Sequence, residues 1–342
     1  MNRFGQGLFA SGLMLLSAYT LSHERVEVIA SFSILGDMIE QIGQEHVAVT
    51  SLVGINEDPH VYSPTPREVR KVQSADLVVL NGLGFEGWMT RLLEASEYKG
   101  ISLLVAEGVM TDHGSELDVH EDEHEHEHDS VDDHSHEDHE DHEDHDEAHE
   151  QGRHEEHDGL EHEHDHGGID PHAWHSALAG REYFHHITEA LIALLPEHKA
   201  EFEQREREVL AQLSALDQKM KVGLEAVPES KRVLITVHSG FRYLEQAYGI
   251  EMLSPAGLTT AGDVSARDVA DVVRFIKDNQ VQAIFAENIT DNRLITQVAK
   301  EAGIPVFGEL YSGALSDASG PAATYLEMLT YNYDQILNAL QQ

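Results

Sequence analysis

The sequence predicts an α/β protein of two lobes with a helical joint. Three observations carry that expectation. Short apolar strands alternate with helical patterns from Val26 to Glu107, and a second alternating unit runs from Arg232 to the C-terminal end. Between them, from Ser176 to about Leu224, the pattern is helical with one interruption at Pro196. Such alternation predicts parallel sheets covered by helices.

In the first unit, "VEVIASF" (Val26 to Phe32) reads as a strand. "SILGDMIEQIG" follows, with Ile34, Leu35, Met38, Ile39 and Ile42 at helical spacing. "VAVTSLV" is the second strand. In "TPREVRKVQSA", Thr65 is placed to cap a helix and Pro66 to occupy its first position. "DLVVLNG" is a third strand, "FEGWMTRLLEAS" a helix and "ISLLVAE" a fourth strand. The stretch "EHKAEFEQREREVLAQLSALDQKMKVGL" is long and highly charged, as expected of a helix on the outside of the molecule or joining two lobes. The second unit begins with strand "RVLITVH" (Arg232 to His238). It continues through helix "FRYLEQAYG", strand "IEML", helix "SARDVADVVRFIKDNQ", strand "AIFAE", helix "NRLITQVAKEAG" and strand "PVFGEL". The terminal helix is "AATYLEMLTYNYDQILNAL". Ser265 and Asp268 have the spacing of a capping box. Ligands of such folds sit between lobes, beside the C-terminal ends of strands.

The chain has 342 residues, 41% of them apolar, enough for two domains with real cores. Its formal net charge is −41. The stretch from Asp112 to His166 holds 26 acidic residues and one basic residue, Arg153, so the remainder is acidic as well. That argues against nucleic acid and anionic membrane as partners. There is no cysteine, which excludes disulfides and thiolate metal ligands, and a lipid-anchored form is not expected. At the N-terminus, Arg3 precedes an apolar stretch from about Leu8 to Leu21. This has the size of a signal-peptide core and is short for a membrane span, so a periplasmic protein is expected.

Residues 113–166 contain 16 histidines interleaved with carboxylates as H-E-H and H-x-x-H pairs. This composition cannot build a core and is expected to be disordered. A solvated charge run accounts for the acids but not for the histidines, which offer many weak metal sites at high local concentration.

One short pattern occurs twice. "DPHVY" covers Asp58 to Tyr62 and "DPHAW" covers Asp170 to Trp174. Proline fixes its own φ and holds the preceding Asp extended, so each histidine is presented from a stiff loop. His238, in "LITVHSGFRYLEQAYGIEM", ends a buried-looking strand ahead of a helix.

These stretches together resemble the metal-binding cluster of ABC-transporter substrate-binding proteins, and within it the high-affinity zinc-uptake receptors. The resemblance rests on "SFSILGDM", "GINEDPHVYSPTPREVRKVQSADLVVLNGLGFEGWM", "GGIDPHAW", "VHSGFRYLEQAYGIEM", "AIFAENIT" and "LYSGALSD". It implies two pseudo-symmetric lobes joined by a long rigid helix, with a Zn²⁺ site in the cleft between them and no covalent chemistry. It places the three metal ligands on His60, His172 and His238. Manganese receptors of the cluster carry Glu at the third position. Many members supply a fourth ligand from an Asp that falls here on Gly313. That leaves the fourth position to water, Glu57, Asp58, Asp317 or a loop histidine. Glu287 matches an acid expected to support the site. The implied partner is the ABC permease of a zinc importer at the inner membrane, with the receptor itself monomeric.

The expected organisation is a signal peptide over 1–22, an N-terminal lobe over 23–112 completed by 169–195, and a His-rich metal-binding loop over 113–168. A linker helix over 196–228 and a C-terminal lobe over 229–342 follow. Three neutral imidazoles suit Zn²⁺, whereas Mn²⁺ prefers more oxygen. The alternatives are a manganese or iron receptor of the same family and a zinc-storage or buffering protein. A metallohydrolase is a further alternative, though H-E-x-x-H occurs only within the His-rich stretch and on none of the expected helices, where it would supply a base.

Overall fold

The structure, a computed structural model, describes residues 25–109, 169–257, 260, 264–279 and 281–342. The expected signal peptide (1–22) and His-rich loop (113–168) lie outside the described residues. The first lobe is built on β1 (Val26–Phe32), β2 (Val47–Val53), β3 (Leu77–Leu80) and β4 (Ile101–Leu104). All pair in parallel in the order β2-β1-β3-β4. The connections carry α1 (Ser33–Gly43), α2 (Pro66–Gln73) and α3 (Met89–Ser96). Every residue of β3 is buried, the continuous apolar run that a strand covered on both faces requires.

Two long helices follow, α4 (Ala177–Leu194) and α5 (Lys199–Leu224). The second lobe contains β5 (Val233–Ile235), β6 (Glu251–Leu253), β7 (Ala283–Glu287) and β8 (Val306–Leu310), again parallel, in the order β6-β5-β7-β8. Its helices are α6 (Arg242–Tyr248), α7 (Ala266–Asp278), α8 (Arg293–Ala302) and α9 (Tyr325–Leu340). The two sheets share one winding: in each, the first strand lies between the second and the third.

Local chemistry sets several element ends. Glu68 Oε2 accepts the Thr65 amide at 2.6 Å where α2 begins. Ser265 and Asp268 exchange side-chain-to-amide bonds of 3.2 and 2.8 Å at the start of α7, the expected capping box. The helix expected from Phe85 starts at Met89. Its first residues turn instead, because the buried Glu86 carboxylate accepts Ser31 Oγ at 2.6 Å and the Asn81 amide at 2.7 Å. The strand expected over Arg232 to His238 stops at Ile235, with His238 in an isolated parallel bridge to Ala256. The Val237 and His238 amides are taken up by the Glu287 carboxylate, at 2.8 and 3.0 Å, and so are lost to the ladder.

α5 buries only Phe202, Val209, Leu213, Met220 and Leu224, a narrow stripe alternating seven and four residues apart. At about 1.5 Å per residue it spans roughly 39 Å. It packs on α1 and α4 of the first lobe and on α6 and α9 of the second. Arg232 closes its C-terminus by donating to the Leu224 carbonyl at 3.0 Å and the Val227 carbonyl at 3.0 Å.

One hydrophobic core runs through both lobes, and a smaller cluster lies behind the second sheet, under α7 and α8. Several hydrogen bonds join the lobes near the strand ends. The Asn56 amide donates to the Leu315 carbonyl at 3.0 Å, the Leu315 amide to Ser33 Oγ at 3.0 Å, and Trp174 Nε1 to the Ser312 carbonyl at 2.8 Å. Among the described residues, no helix is long and apolar enough to cross a membrane.

Candidate metal centre

The C-terminal ends of both sheets supply the site. His60 lies in a 3₁₀ turn, Pro59–Val61, reached from the end of β2. His172 immediately precedes a second such turn, Ala173–His175. The repeated Asp-Pro-His builds the same device twice: the Asp carboxylate accepts the amide of the histidine two residues on, at 2.9 Å in both copies. Trp88 Nε1 pins the first copy by donating to the Pro59 carbonyl at 2.8 Å.

The copies then diverge. Asp170 Oδ1 also meets the ring of its own histidine, 2.7 Å from His172 Nδ1. Asp58 instead accepts the Thr260 hydroxyl of the other lobe at 2.5 Å.

His238 follows β5, and its Nδ1 lies 2.5 Å from Oε2 of Glu287, the last residue of the adjacent strand β7. Both side chains are essentially unexposed. The ring folds back over Gly240, where a Cβ would stand 2.5 Å from His238 Nε2. Glycine is needed there for the approach, not for an unusual φ.

The three imidazoles converge. His172 Nε2 lies 3.2 Å from His60 Nε2 and 3.4 Å from His238 Nε2. Ligands at 2.0–2.1 Å around a tetrahedral ion stand about 3.3 Å apart, so these spacings match a shared metal. Among the described residues, His60, His172 and His238 form a group whose ligand atoms lie within 4.8 Å of one another. Phe85 and Trp174 wall the pocket, with Phe85 edge-on to His60 at 4.8 Å and Trp174 against His172 at 5.2 Å between ring centres.

Electrostatics prepares two of the rings as neutral donors. Burial, reinforced by His172 and His238, pushes His60 down to about 2. Burial also lowers His172, against the opposing pull of Asp170. His238 goes the other way: burial pulls it down, but the Glu287 carboxylate outweighs that and raises it. The two Nδ1 atoms facing carboxylates direct the opposite nitrogens, Nε2, into the pocket.

Among the described residues, none of the carboxylates expected as a fourth ligand joins this group, and the loop histidines lie outside the described residues. Asp58 is held by the His60 amide and Thr260, Glu57 Oε2 accepts the Gly54 amide at 2.8 Å, and Asp317 accepts the Ser319 amide at 2.8 Å. Gly313 packs against the His60 loop. A Cβ there would meet Ile289 Cδ1 at 2.8 Å and Pro59 Cδ at 3.1 Å.

Sequence reasoning missed Asp170 as a ring partner, Gly240 and Thr260. Asp170 was visible only as half of the repeat, and Thr260 carried no signal. His175, fully buried, lies against Phe241 at 4.3 Å between ring centres.

A two-lobed parallel α/β molecule with imidazoles gathered at facing strand ends is a receptor for a metal cation. The chain belongs to the family described as the periplasmic zinc-uptake complex component A, ZnuA, whose model matches residues 28–339. These are metal-binding substrate-binding components of ABC importers, extracytoplasmic and not enzymes. The chain is 25% identical over 335 residues to the iron ABC transporter substrate-binding lipoprotein MtsA of Streptococcus pyogenes, covering 94% of this chain and 91% of that protein. It is 26% identical to the manganese-binding lipoprotein MntA of Halalkalibacterium halodurans, covering 93% and 90%. Among solved structures, the periplasmic zinc-binding protein TroA from Treponema pallidum superposes with a TM-score of 0.74 at 25% identity, covering 93% of this chain and 99% of that one. A manganese-bound periplasmic metal-binding protein from Candidatus Liberibacter asiaticus gives 0.70 at 25% identity, covering 93% and 100%.

Proposed function

We propose that this receptor captures Zn²⁺ with His60, His172 and His238 and delivers it to the permease of a zinc importer. The observation that carries this reading is the donor set: three imidazole nitrogens, two of them 3.2 and 3.4 Å from the third, with no carboxylate of the described residues in the group. Imidazole donors in a near-tetrahedral arrangement favour zinc, whereas manganese is better served by carboxylate and water oxygen. In this reading, residues 113–166 collect zinc and hold a local reserve for the cleft.

The competing reading, a manganese or iron receptor, is favoured by what MtsA and MntA are named for. Affinity alone separates the two poorly, because zinc outbinds manganese at almost any nitrogen-containing site. Uptake is the better test. Cells lacking this gene should lose uptake of radioactive zinc under zinc limitation and keep manganese and iron uptake. The reading fails if manganese or iron uptake collapses while zinc uptake is unchanged.

A further inference from the structure

A second group of metal-ligating side chains lies outside the cleft, on the first lobe. His46 ends the turn between α1 and β2; His198 ends the turn between α4 and α5; Glu201 lies in the first turn of α5. One ligand atom of each lies within 4.8 Å of the others. The two imidazole rings stack at 3.7 Å between centres with 29° between planes. Each points a nitrogen at the same carboxylate: His46 Nε2 is 3.0 Å from Glu201 Oε2, and His198 Nδ1 is 3.4 Å from Oε1. The two contacts use different oxygens of the carboxylate, which would turn to present one of them to an ion held by both rings.

The surroundings favour a cation. The rings are 14% and 18% exposed, with Phe202 edge-on to His46 at 5.7 Å, so they are partly held before any ion arrives. Glu201 is half exposed and leaves an open side for water. Arg205 is the competing charge, 3.6 Å from Glu201 Oε2. It is committed elsewhere, donating to the Ile42 carbonyl at 2.9 Å and pairing with Glu45 at 3.2 Å. The charged side chains Glu45, Glu201 and Arg205 together carry a net negative charge.

We infer that His46, His198 and Glu201 form a second, weaker site for a borderline divalent cation, with Zn²⁺ as the probe. Binding would exchange two ring-to-carboxylate hydrogen bonds for coordination, the ring protons moving through solvent to the opposite nitrogens. The ion would tie the α1–β2 turn to the start of α5, the helix packed against both lobes. This inference does not depend on the reading of the cleft.

Carbethoxylation by diethyl pyrocarbonate, read peptide by peptide in the full chain, tests it. Free zinc is set with a chelator buffer so that the 16 histidines of residues 113–166 cannot deplete it. His46 and His198 should become protected together, at higher free zinc than His60. Glu201→Gln should move their midpoint at least tenfold upward and leave His60 unchanged; His198→Gln should do the same to His46. Unchanged reactivity of His46 and His198 up to micromolar free zinc would overturn the inference. So would protection in Glu201→Gln that is indistinguishable from the parent chain.

Discussion

Glu287 acts on His238 through three bonds at once: it receives the ring nitrogen and two successive amides, those of Val237 and His238. The ring's tautomer and its aim therefore depend on a carboxylate that does not join the cluster. Glu287→Gln should weaken zinc binding about 10–100-fold, the usual cost of losing such a partner, and His238→Ala should cost about tenfold to a thousandfold. Chelator competition gives the affinities, and a thermal melt separates lost binding from lost fold. If His238→Ala unfolds the lobe while a folded remnant still binds zinc tightly, His238 is a core residue and not a ligand. Gly313→Asp is expected to fail as a way of adding a ligand. The obstacle is Ile289 and Pro59 against the new Cβ, not backbone strain. The variant should melt lower and bind zinc more weakly; a normal melt with slower zinc release would show that the loop can give way. At this scale the sequence was half legible. The repeated Asp-Pro-His placed two candidate ligands because a local turn carries its own signal. Thr260 and Gly240 were not legible, since one meets Asp58 across 202 positions and the other is defined only by where a ring folds.

Among the elements, α1 and α9 are joined by a carboxylate with a cost attached. Asp37 on α1 accepts the Tyr325 amide at the start of α9 at 2.7 Å, and Gln41 Nε2 at 2.5 Å. Burial raises its pKa from 3.8 to about 6 despite those bonds. Between these values the folded chain holds a proton that the unfolded chain has lost, so Asp37 lowers stability as pH rises through about 4 to 6. Asp37→Asn keeps an acceptor for Tyr325 and removes the charge. Relative to the parent, it should gain on the order of 1–2 kcal/mol between pH 4 and pH 7. Urea melts at the two pH values measure this, and a gap that shrinks as pH rises would contradict the assignment. The elements themselves were the most legible part of the chain, because helical spacing and parallel apolar runs are local patterns. The exceptions share one cause. Glu86 and Glu287 turn inward and take backbone amides, and both the start of α3 and the end of β5 shift accordingly. A buried carboxylate's choice of partner is a tertiary fact that local periodicity does not encode.

At the scale of the whole molecule, the two sheets are parts of one body. A single core spans them, α5 packs on both, and Tyr333 of α9 receives the Ala177 amide at 2.9 Å and donates to the His175 carbonyl at 3.0 Å. All three cleft histidines are therefore set by this body, and none lies within residues 113–166. Deleting those residues should leave one tight zinc site with nearly unchanged affinity, measured by titration against a competing chelator. The full chain should bind several further ions, more weakly, on the 16 histidines removed. Those ions should be released as pH falls through about 6.5, where a free imidazole takes up its proton. The deletion also separates the rival roles of the loop. A reserve for the cleft predicts that the shortened receptor still delivers zinc but fails at the lowest supply. A storage protein predicts that most bound zinc vanishes and uptake does not change. A shortened chain that melts normally yet holds no zinc tightly would remove the cleft from consideration and make the loop the receptor's real site.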